Sequence, residues 1–195
     1  MPRSMSSLLI AGTSHTGKST LAAAIGRALG WEVLSTDRLA RHPGRPWPRV
    51  PPHVAEYYAR LSDETIYRFL LNHHENMWPG IQRLISDMQG QGKPFVLEGS
   101  ALRPDYVSKA VSTENAVVCL HADHDFLRAR MLAESGYERL DAGHRPLVDK
   151  FITRSLRDND EVLKAARGHG LFCIDVRDEA AVERFQARMV ERLRR

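Results

Sequence analysis

The segment from Gly12 to Ser19 reads GTSHTGKS and carries the residue types that bind a chain of phosphates. Its glycines let the backbone curl so that successive N–H groups face one anion. The ammonium of Lys18 can then reach the β- and γ-phosphates, and the hydroxyl of Ser19 can bind Mg²⁺. The pattern G-x-x-x-x-G-K-[ST] is matched without a gap. It predicts a site for a nucleoside triphosphate, most often ATP, together with Mg²⁺, and leaves the reaction open.

The sequence on either side of this motif, called the P-loop below, supports a phosphate site. Residues 7–11 are typical of a short buried strand, and residues 17–29 have the apolar spacing of a helix that ends at Gly30. The positive N-terminal end of that helix would point at the phosphates. The alternative is an ordinary strand, turn and helix that holds these residues by chance. The residues expected to contact the nucleotide are Gly12, Thr13, Ser14, His15, Thr16, Gly17, Lys18, Ser19 and Thr20.

The rest of the chain alternates strands with helices. Apolar runs predict strands at 31–35, 94–99, 116–122 and 171–176, and helical spacing predicts helices at 53–72, 74–90, 123–135, 147–170 and 179–193. This alternation predicts an α/β fold with a parallel sheet covered by helices on both faces. Two excursions, 38–90 and 134–147, interrupt the alternation. Such excursions over the carboxyl ends of strands are where a substrate site is expected.

The composition is that of a single domain, 1–195. The chain has 195 residues, of which 43% are hydrophobic and 27% charged, with a net charge of +4 and a pI of about 9.3. A mildly basic chain fits nucleic acid or a phosphorylated small molecule, but no long run of like charges indicates a nucleic-acid tail. Cys119 and Cys173 lie in apolar runs, which favours reduced buried thiols and a cytoplasmic location. No signal peptide or membrane span is expected.

Residues beyond the P-loop make the sequence similar to the P-loop kinases of small molecules. This group contains nucleoside monophosphate kinases, shikimate and gluconate kinases, and chloramphenicol phosphotransferase. The similarity rests on LSTDRLAR at 34–41, on an arginine-bearing segment at 121–146, and on the chain length. It implies a three-layer sandwich whose five-stranded parallel sheet has the order 2-3-1-4-5, with a helical acceptor-site insertion and a lid. It also implies an ATP-dependent transfer of the γ-phosphate to a hydroxyl, or a phosphate, of a small molecule.

The resemblance assigns a role to Asp37, which follows the second strand. In shikimate kinase, chloramphenicol phosphotransferase and zeta-toxin-like kinases, an aspartate here contacts the acceptor hydroxyl or its proton. Asp37 is therefore the candidate general base, because a carboxylate can orient a hydroxyl and accept its proton. The alternative is that Asp37 caps a helix that starts at Arg38. The two roles are compatible.

The resemblance also implies an arginine-bearing lid. Arg128 and Arg130 lie on a predicted helix, and Arg139 and Arg145 follow in a polar loop. We expect Arg130 to lie against the nucleotide and Arg139 to act in catalysis by reaching the phosphates, with Arg145 as the alternative for either role. A mobile guanidinium can meet the charge that develops on the transferred phosphoryl group. The alternative is a solvated basic face.

The segment RLARHPGRPWP, residues 38–48, is the candidate acceptor-binding loop. Its prolines fix the backbone, Arg38, Arg41 and Arg45 offer charge, and Trp47 offers a flat apolar wall. These residues suit an anionic or sugar-like acceptor. The alternative is a stiff connecting loop in which Trp47 covers the core.

Further acceptor residues are expected after the third strand. Glu98 could hold the acceptor or a water on Mg²⁺, or form an ion pair with an arginine, and Arg103 could line the pocket. Lys150, Arg154 and Arg157 share a helix face that lies near the lid or is simply exposed.

Motifs that the sequence lacks narrow the range of reactions that it could catalyse. The third strand ends in Glu98 where motors and large ATPases carry an aspartate, and no N-K-x-D motif reads guanine. Sparse water-activating machinery favours transfer to a bound hydroxyl over hydrolysis. A low-turnover ATP-binding regulatory protein and a polynucleotide 5′-hydroxyl kinase remain alternatives. Little aromatic interleaving with basic residues counts against the latter. The expected partner is a small-molecule acceptor rather than nucleic acid or a membrane, and a homodimer is left open.

Overall fold

A computed structural model describes residues 6–40, 44–110 and 115–194, and these fold around one parallel sheet. The strands lie in the order β2-β3-β1-β4-β5, and every pairing is parallel. The predicted α/β fold and strand order are therefore confirmed. The strands are β1 (Ser7–Gly12), β2 (Glu32–Ser35), β3 (Phe95–Glu98), β4 (Asn115–His121) and β5 (Phe172–Asp175).

Helices cover both faces of the sheet. One face carries α1 and α7, and the other carries α3 and α6. The helices are α1 (Lys18–Leu29), α2 (Pro52–Arg60), α3 (Asp63–Gly90), α4 (Pro104–Val107), α5 (His124–Ser135), α6 (Arg145–Gly168) and α7 (Glu179–Leu193). Within the described ranges, no helix has the length and apolar character needed to cross a membrane.

Strand β1 runs through the middle of the sheet and is buried along its whole length. Leu8 and Ile10 pack toward α1 and α7, whereas Leu9 and Ala11 pack toward α3. Successive side chains of a strand point to opposite faces, so a strand covered on both sides must be apolar throughout. This requirement explains the apolar run that precedes the P-loop.

The carboxyl ends of the central strands converge at one edge. Glu98 at the end of β3 is in register with Ile10 of β1 and with Ser35 of β2. Above this edge, α2, α5 and α6 pack on one another around Tyr58 and Phe151. The strand ends therefore form a floor, and these helices form walls around it.

The predicted break between two helices at residue 73 is wrong. The chain instead breaks between Arg60 and Asp63, and α3 continues to Gly90 with Pro79 inside it. The side chain of Ser62 accepts a hydrogen bond from the backbone N–H of Thr65, which caps α3 at its start. The second half of α3 packs on the sheet, so part of the predicted excursion 38–90 belongs to the sheet's helical layer.

Candidate active site

The P-loop turns tightly between β1 and α1. Gly12 and Gly17 have φ of 143° and 80°, and His15, at φ 67°, also adopts a left-handed conformation. A Cβ at Gly12 would lie 2.6 Å from the carbonyl oxygen of Leu120. The glycine at the first motif position is therefore required by the neighbouring strand as well as by the turn.

Some residues of the motif support the loop from below, and the others line the cavity above it. Thr16 Oγ1 donates to the carbonyl of Thr13 at 2.9 Å, and Thr13 Oγ1 donates to the carbonyl of Ser155 on α6 at 3.2 Å. Both threonine side chains are buried beneath the loop, and with Gly12 they shape it. The motif residues that line the cavity above are Ser14, His15, Gly17, Lys18, Ser19 and Thr20.

This cavity, here called the P-loop cavity, has a volume of about 480 Å³. Besides the motif it is lined by Asp37, Arg45, Glu98, Gly99, Ser100, Arg130, Ala133 and Glu134. Lysine, arginine and carboxylate groups therefore face one another across it. A phosphate chain with a bound cation matches such a mixed wall, because each partner finds its opposite charge.

Lys18 folds back onto the loop. Its Nζ donates to the carbonyl of Thr13 at 2.6 Å. Burial lowers the pKa of Lys18, and the nearby carboxylates of Glu98 and Asp37 oppose that shift. A phosphate arriving in the P-loop cavity would supply the negative charge that this buried ammonium needs.

A second cavity of about 470 Å³ adjoins the first. Four residues line both: Ser14, Asp37, Arg45 and Ser100. The remaining walls of the second cavity are Ala40, Gly44, Pro51, His53, Leu70, His73, His74, Met77, Ala101, Phe151 and Arg154. A group bound in one cavity can thus meet a group bound in the other at this shared boundary.

Asp37 lies at that boundary with its side chain exposed. It sits in a 3₁₀ turn, Thr36–Arg38, whose cap is Ser35: the Ser35 hydroxyl accepts from the backbone N–H of Asp37 at 3.4 Å. The cap of this turn is therefore not Asp37. Its carboxylate remains available to a ligand in either cavity.

The end of β3 is fitted closely to the turn that carries Asp37. A Cβ at Gly99 would lie 1.8 Å from Oγ1 of Thr36, so only glycine fits there. Glu98 before it is buried and lines the P-loop cavity, and within the described part of the chain it forms no ion pair. Ser100 after it lines both cavities, although sequence reasoning did not single it out.

The arginines of the predicted lid differ in position. Arg130 lines the P-loop cavity and donates to the carbonyl of His15 at 2.9 Å. Arg139 is exposed, lies outside both cavities and folds back so that a Cβ at Gly136 would be 3.0 Å from its Nη2. The structure therefore does not place Arg139 at the phosphates. Arg128 is exposed and lies outside both cavities as well.

Arg145 holds the backbone of the predicted lid. It is the first residue of α6, and its guanidinium donates to the carbonyl of Leu140 at 3.1 Å and to that of Glu138 at 3.0 Å. Neither cavity includes it. Arg145 therefore stabilises the loop between α5 and α6.

Arg45 reaches the P-loop cavity from the acceptor-loop side. It forms an ion pair with Glu134 at the end of α5. His15 Nε2 lies 2.9 Å from the other oxygen of Glu134. Burial and, secondly, Arg45 lower the pKa of His15 to about 4, so its imidazole is neutral at neutral pH. Nothing in the sequence indicated that Glu134 would line the site, because its neighbours come from distant parts of the chain.

The rest of the predicted acceptor loop contributes less than expected. Trp47 is buried, and its ring packs edge-on against Phe151 at 4.7 Å, so it covers the core and lines neither cavity. Arg38 is exposed and lies outside both cavities. Arg41 lies outside the described residues.

Arg103 is a structural residue. It is buried and forms an ion pair with Asp158, which is also buried. The pair joins the start of α4 to α6, and neither side chain lines the two cavities. The structure therefore does not bring Arg103 to the cavities, because its charge is already matched inside the fold.

Of the three basic residues on one face of α6, only Arg154 lines a cavity. Lys150 donates to the carbonyl of Leu61 at 2.7 Å, and Arg157 pairs with Glu64 at 2.6 Å. Arg154 is 6% exposed, although the sequence reasoning allowed it to be a surface residue. Its guanidinium lies 4.4 Å above the ring of Phe151.

The oxygen donors of the P-loop cavity fit Mg²⁺. The hydroxyl of Ser19 and the carboxylates of Asp37 and Glu98 line the same space, and oxygen is the ligand that Mg²⁺ prefers. Within the described ranges, no three His, Cys, Asp or Glu side chains converge on a point that could hold a metal. One or two protein oxygens together with phosphates and water are the usual ligands of a nucleotide-bound Mg²⁺.

Comparison with solved structures identifies the fold. No protein-family model and no curated protein sequence matches the chain. An unliganded sugar kinase from Janibacter sp. HTCC2649 is similar, with a TM-score of 0.52 and 16% identity over 94% of this chain and 93% of that one. So is deoxyadenosine kinase from M. mycoides with bound dATP, with a TM-score of 0.50 and 13% identity over 94% and 98%. Dephospho-CoA kinase from Campylobacter jejuni has a TM-score of 0.50 and 11% identity over 96% of each chain. The chain therefore has the fold of the P-loop small-molecule kinases.

Proposed function

We propose that this protein is an ATP-dependent phosphotransferase that moves the γ-phosphate of ATP to a hydroxyl of a small molecule. The observation that carries the proposal is the pair of adjoining cavities. The P-loop lines one of them. The other is lined by charged, polar and apolar side chains that could bind an acceptor, and Asp37 lies at the boundary that the two cavities share.

On the donor side, the P-loop supplies the groups that a triphosphate requires. In this proposal its backbone N–H groups and the N-terminal end of α1 would face the phosphates, and Lys18 would add a positive charge. Ser19 would hold Mg²⁺, with Glu98 close to it, and the ion would neutralise phosphate charge when bound. Arg130, which donates to the carbonyl of His15 beside the loop, would contact the nucleotide.

On the acceptor side, Asp37 is the proposed general base. The acceptor oxygen forms a bond to the γ-phosphorus while the bond from that phosphorus to the bridging oxygen breaks. The acceptor proton passes to the Asp37 carboxylate, and ADP leaves. Arg45, which lines both cavities, is the guanidinium best placed to meet the charge on the moving phosphoryl group, a role that the sequence had suggested for Arg139.

The test is ADP release from ATP and Mg²⁺ in the presence of a panel of small hydroxylated acceptors. Asp37→Asn should abolish acceptor-dependent turnover and leave ATP affinity nearly unchanged. Asp87→Asn, an exposed aspartate on α3, is the matched control and should retain full turnover. Full activity of the Asp37→Asn variant would remove Asp37 as the base. Tight ATP binding without any acceptor dependence would instead favour the low-turnover regulatory alternative.

A further inference from the structure

The two cysteines of the chain lie side by side on neighbouring strands. Cys119 of β4 is in register with Cys173 of β5, and these strands pair in parallel. Side chains at registered positions of two parallel strands point to the same face of the sheet, and the strands lie about 4.8 Å apart. Disulfides join residues whose Cα atoms are about 4.4–6.8 Å apart. The backbone therefore already has the spacing that a bond between these two sulfurs requires.

Both cysteine side chains belong to one small apolar cluster beneath α6. Cys119 packs there with Val162 and Ala166, and Cys173 borders the same cluster. The Cys119 thiol donates a hydrogen bond to the sulfur of Cys173, which brings the two sulfurs into direct contact. The Cys173 thiol in turn donates to the carbonyl of Leu171 at 3.4 Å. The reduced protein therefore already holds the two sulfurs as neighbours.

The two thiols differ in how easily an oxidant can reach and attack them. Cys119 is buried, whereas Cys173 is half-buried on β5, which lies at the edge of the described sheet. The hydrogen bond between them lowers the pKa of Cys173 and raises the pKa of Cys119, which burial raises further. Because the thiolate is the form of cysteine that oxidants attack, Cys173 is the member of the pair that would react first.

We propose that Cys119 and Cys173 form an oxidation site at which a hydroperoxide converts the two thiols into a disulfide. In the first step the Cys173 thiolate attacks one oxygen of the hydroperoxide. The O–O bond breaks, the released alkoxide takes up a proton from solvent, and Cys173 becomes a sulfenic acid. In the second step the Cys119 sulfur attacks the sulfur of Cys173. The S–O bond breaks, and hydroxide leaves as water with the proton of Cys119. The two sulfurs are oxidised and one hydroperoxide is reduced.

The site is separate from the machinery of the proposed function. Neither cysteine lines the P-loop cavity or the second cavity, so the inference does not depend on which reaction the protein catalyses. The bond would close the chain from residue 119 to residue 173, which contains α5 and α6. A dithiol would reverse it by thiol–disulfide exchange.

The test begins with the reduced full-length protein and hydrogen peroxide as the probe. Remaining thiols are blocked with an alkylating reagent in denaturant, and intact mass and peptide mapping then report the state of each cysteine. We expect both thiols to be lost together in a single chain, with Cys119 linked to Cys173 and the loss reversed by dithiothreitol. The bond should form about tenfold or more faster in the folded protein than in urea, because the strand register holds the sulfurs together.

Two single variants separate the steps and serve as controls for each other. Cys119→Ser should accumulate a sulfenic acid on Cys173 that a 1,3-diketone reagent traps, because the second thiol is missing. Cys173→Ser should keep the buried Cys119 thiol under the same treatment. The measurement on the unchanged chain does not depend on the folding of either variant.

Three results would overturn the inference. The first is that the folded chain keeps both thiols at a peroxide concentration that oxidises free cysteine. The second is a disulfide that joins two chains. The third is a sulfinic acid on Cys173 while the Cys119 thiol stays intact, which would show that Cys119 does not reach the oxidised sulfur.

Discussion

Arg45 and Glu134 form an ion pair that joins the loop before α2 to the end of α5 across the P-loop cavity. Both side chains are about half exposed, at 48% and 45%, so water and salt weaken their attraction. A pair of this kind contributes at most about 1 kcal/mol and can be exchanged for another partner at little cost. The geometry leaves Arg45 ready to exchange Glu134 for a phosphate.

Glu134→Gln should therefore strengthen ATP binding. The change removes a carboxylate from the P-loop cavity and leaves Arg45 free to contact phosphate, so we expect the Kd for ATP to fall about two- to fivefold. Calorimetry at low ionic strength measures the change, which should shrink in 0.5 M salt (roughly a 4 Å screening length). Glu138→Gln, an exposed glutamate in the following turn, is the control. Weaker ATP binding by Glu134→Gln would show that Glu134 supports the loop instead.

Arg130 and Arg139 should respond differently to the same substitution. Arg130→Gln removes a guanidinium beside the P-loop together with its hydrogen bond to His15, so the Kd for ATP should rise by about tenfold. Arg139→Gln should change it less than about twofold, because Arg139 lies outside both cavities. Titration of the two variants with a fluorescent ATP analogue provides the measurement. A larger loss for Arg139→Gln would mean that the lid rearranges when nucleotide binds and brings Arg139 to the phosphates.

Breaking the Arg103–Asp158 pair should destabilise the fold before it affects binding. Arg103→Met leaves the Asp158 carboxylate buried with its partner removed, and we expect a loss of about 3–5 kcal/mol in the free energy of unfolding. Adding Asp158→Leu should restore most of this stability, because the uncompensated charge is gone. Urea unfolding of the single and double variants checks the prediction. A stable single variant with weakened acceptor binding would return Arg103 to the acceptor site.

Stability should fall between neutral and mildly acidic pH because of His74. Burial lowers the pKa of His74 to about 3 in the folded protein, whereas an unfolded histidine titrates near 6.5. The unfolded state therefore binds more protons as pH falls below 6.5, and folding loses stability down to about pH 3. Between pH 7.5 and pH 5 this residue should account for about 1–2 kcal/mol of the loss. His74→Gln should flatten the profile measured by urea unfolding at the two pH values. His15, whose pKa is also lowered, to about 4, adds a further loss in the same range, and an unchanged profile in the His74 variant would assign the whole effect elsewhere.

The fold was predictable because its signals are local. Apolar runs and glycine stops marked the strands and helices, and the run at 7–11 followed by the P-loop motif placed β1 before α1. The break before α3 was misplaced because it is marked by a single capping serine, Ser62. One such residue is a weak sequence signal for the start of a helix. The pattern therefore identified the elements better than their ends.

The walls of the site were less predictable, because they depend on packing between distant segments. Arg139 carries the same charge as Arg130 in the sequence, but its side chain lies over Gly136 and lines neither cavity. Ser100 lines both cavities, and it follows Gly99, which closely approaches Thr36. The apolar periodicity of the sequence gives no information about such an approach. Residue type therefore predicted a charged, polar site but not always which charged residues line it.

Helix α6 links the two halves of the site mechanically. The carbonyl of Ser155 holds Thr13 of the P-loop, the neighbouring Arg154 lines the second cavity, and Asn159 binds the carbonyl of Ala122 at the end of β4. A substitution that moves the backbone of α6 at Ser155 will therefore also move the P-loop, because the Thr13 hydroxyl donates to that carbonyl. Attempts to redesign the acceptor preference are better directed at the part of the second cavity formed by the start of α2, at residues such as Pro51 and His53.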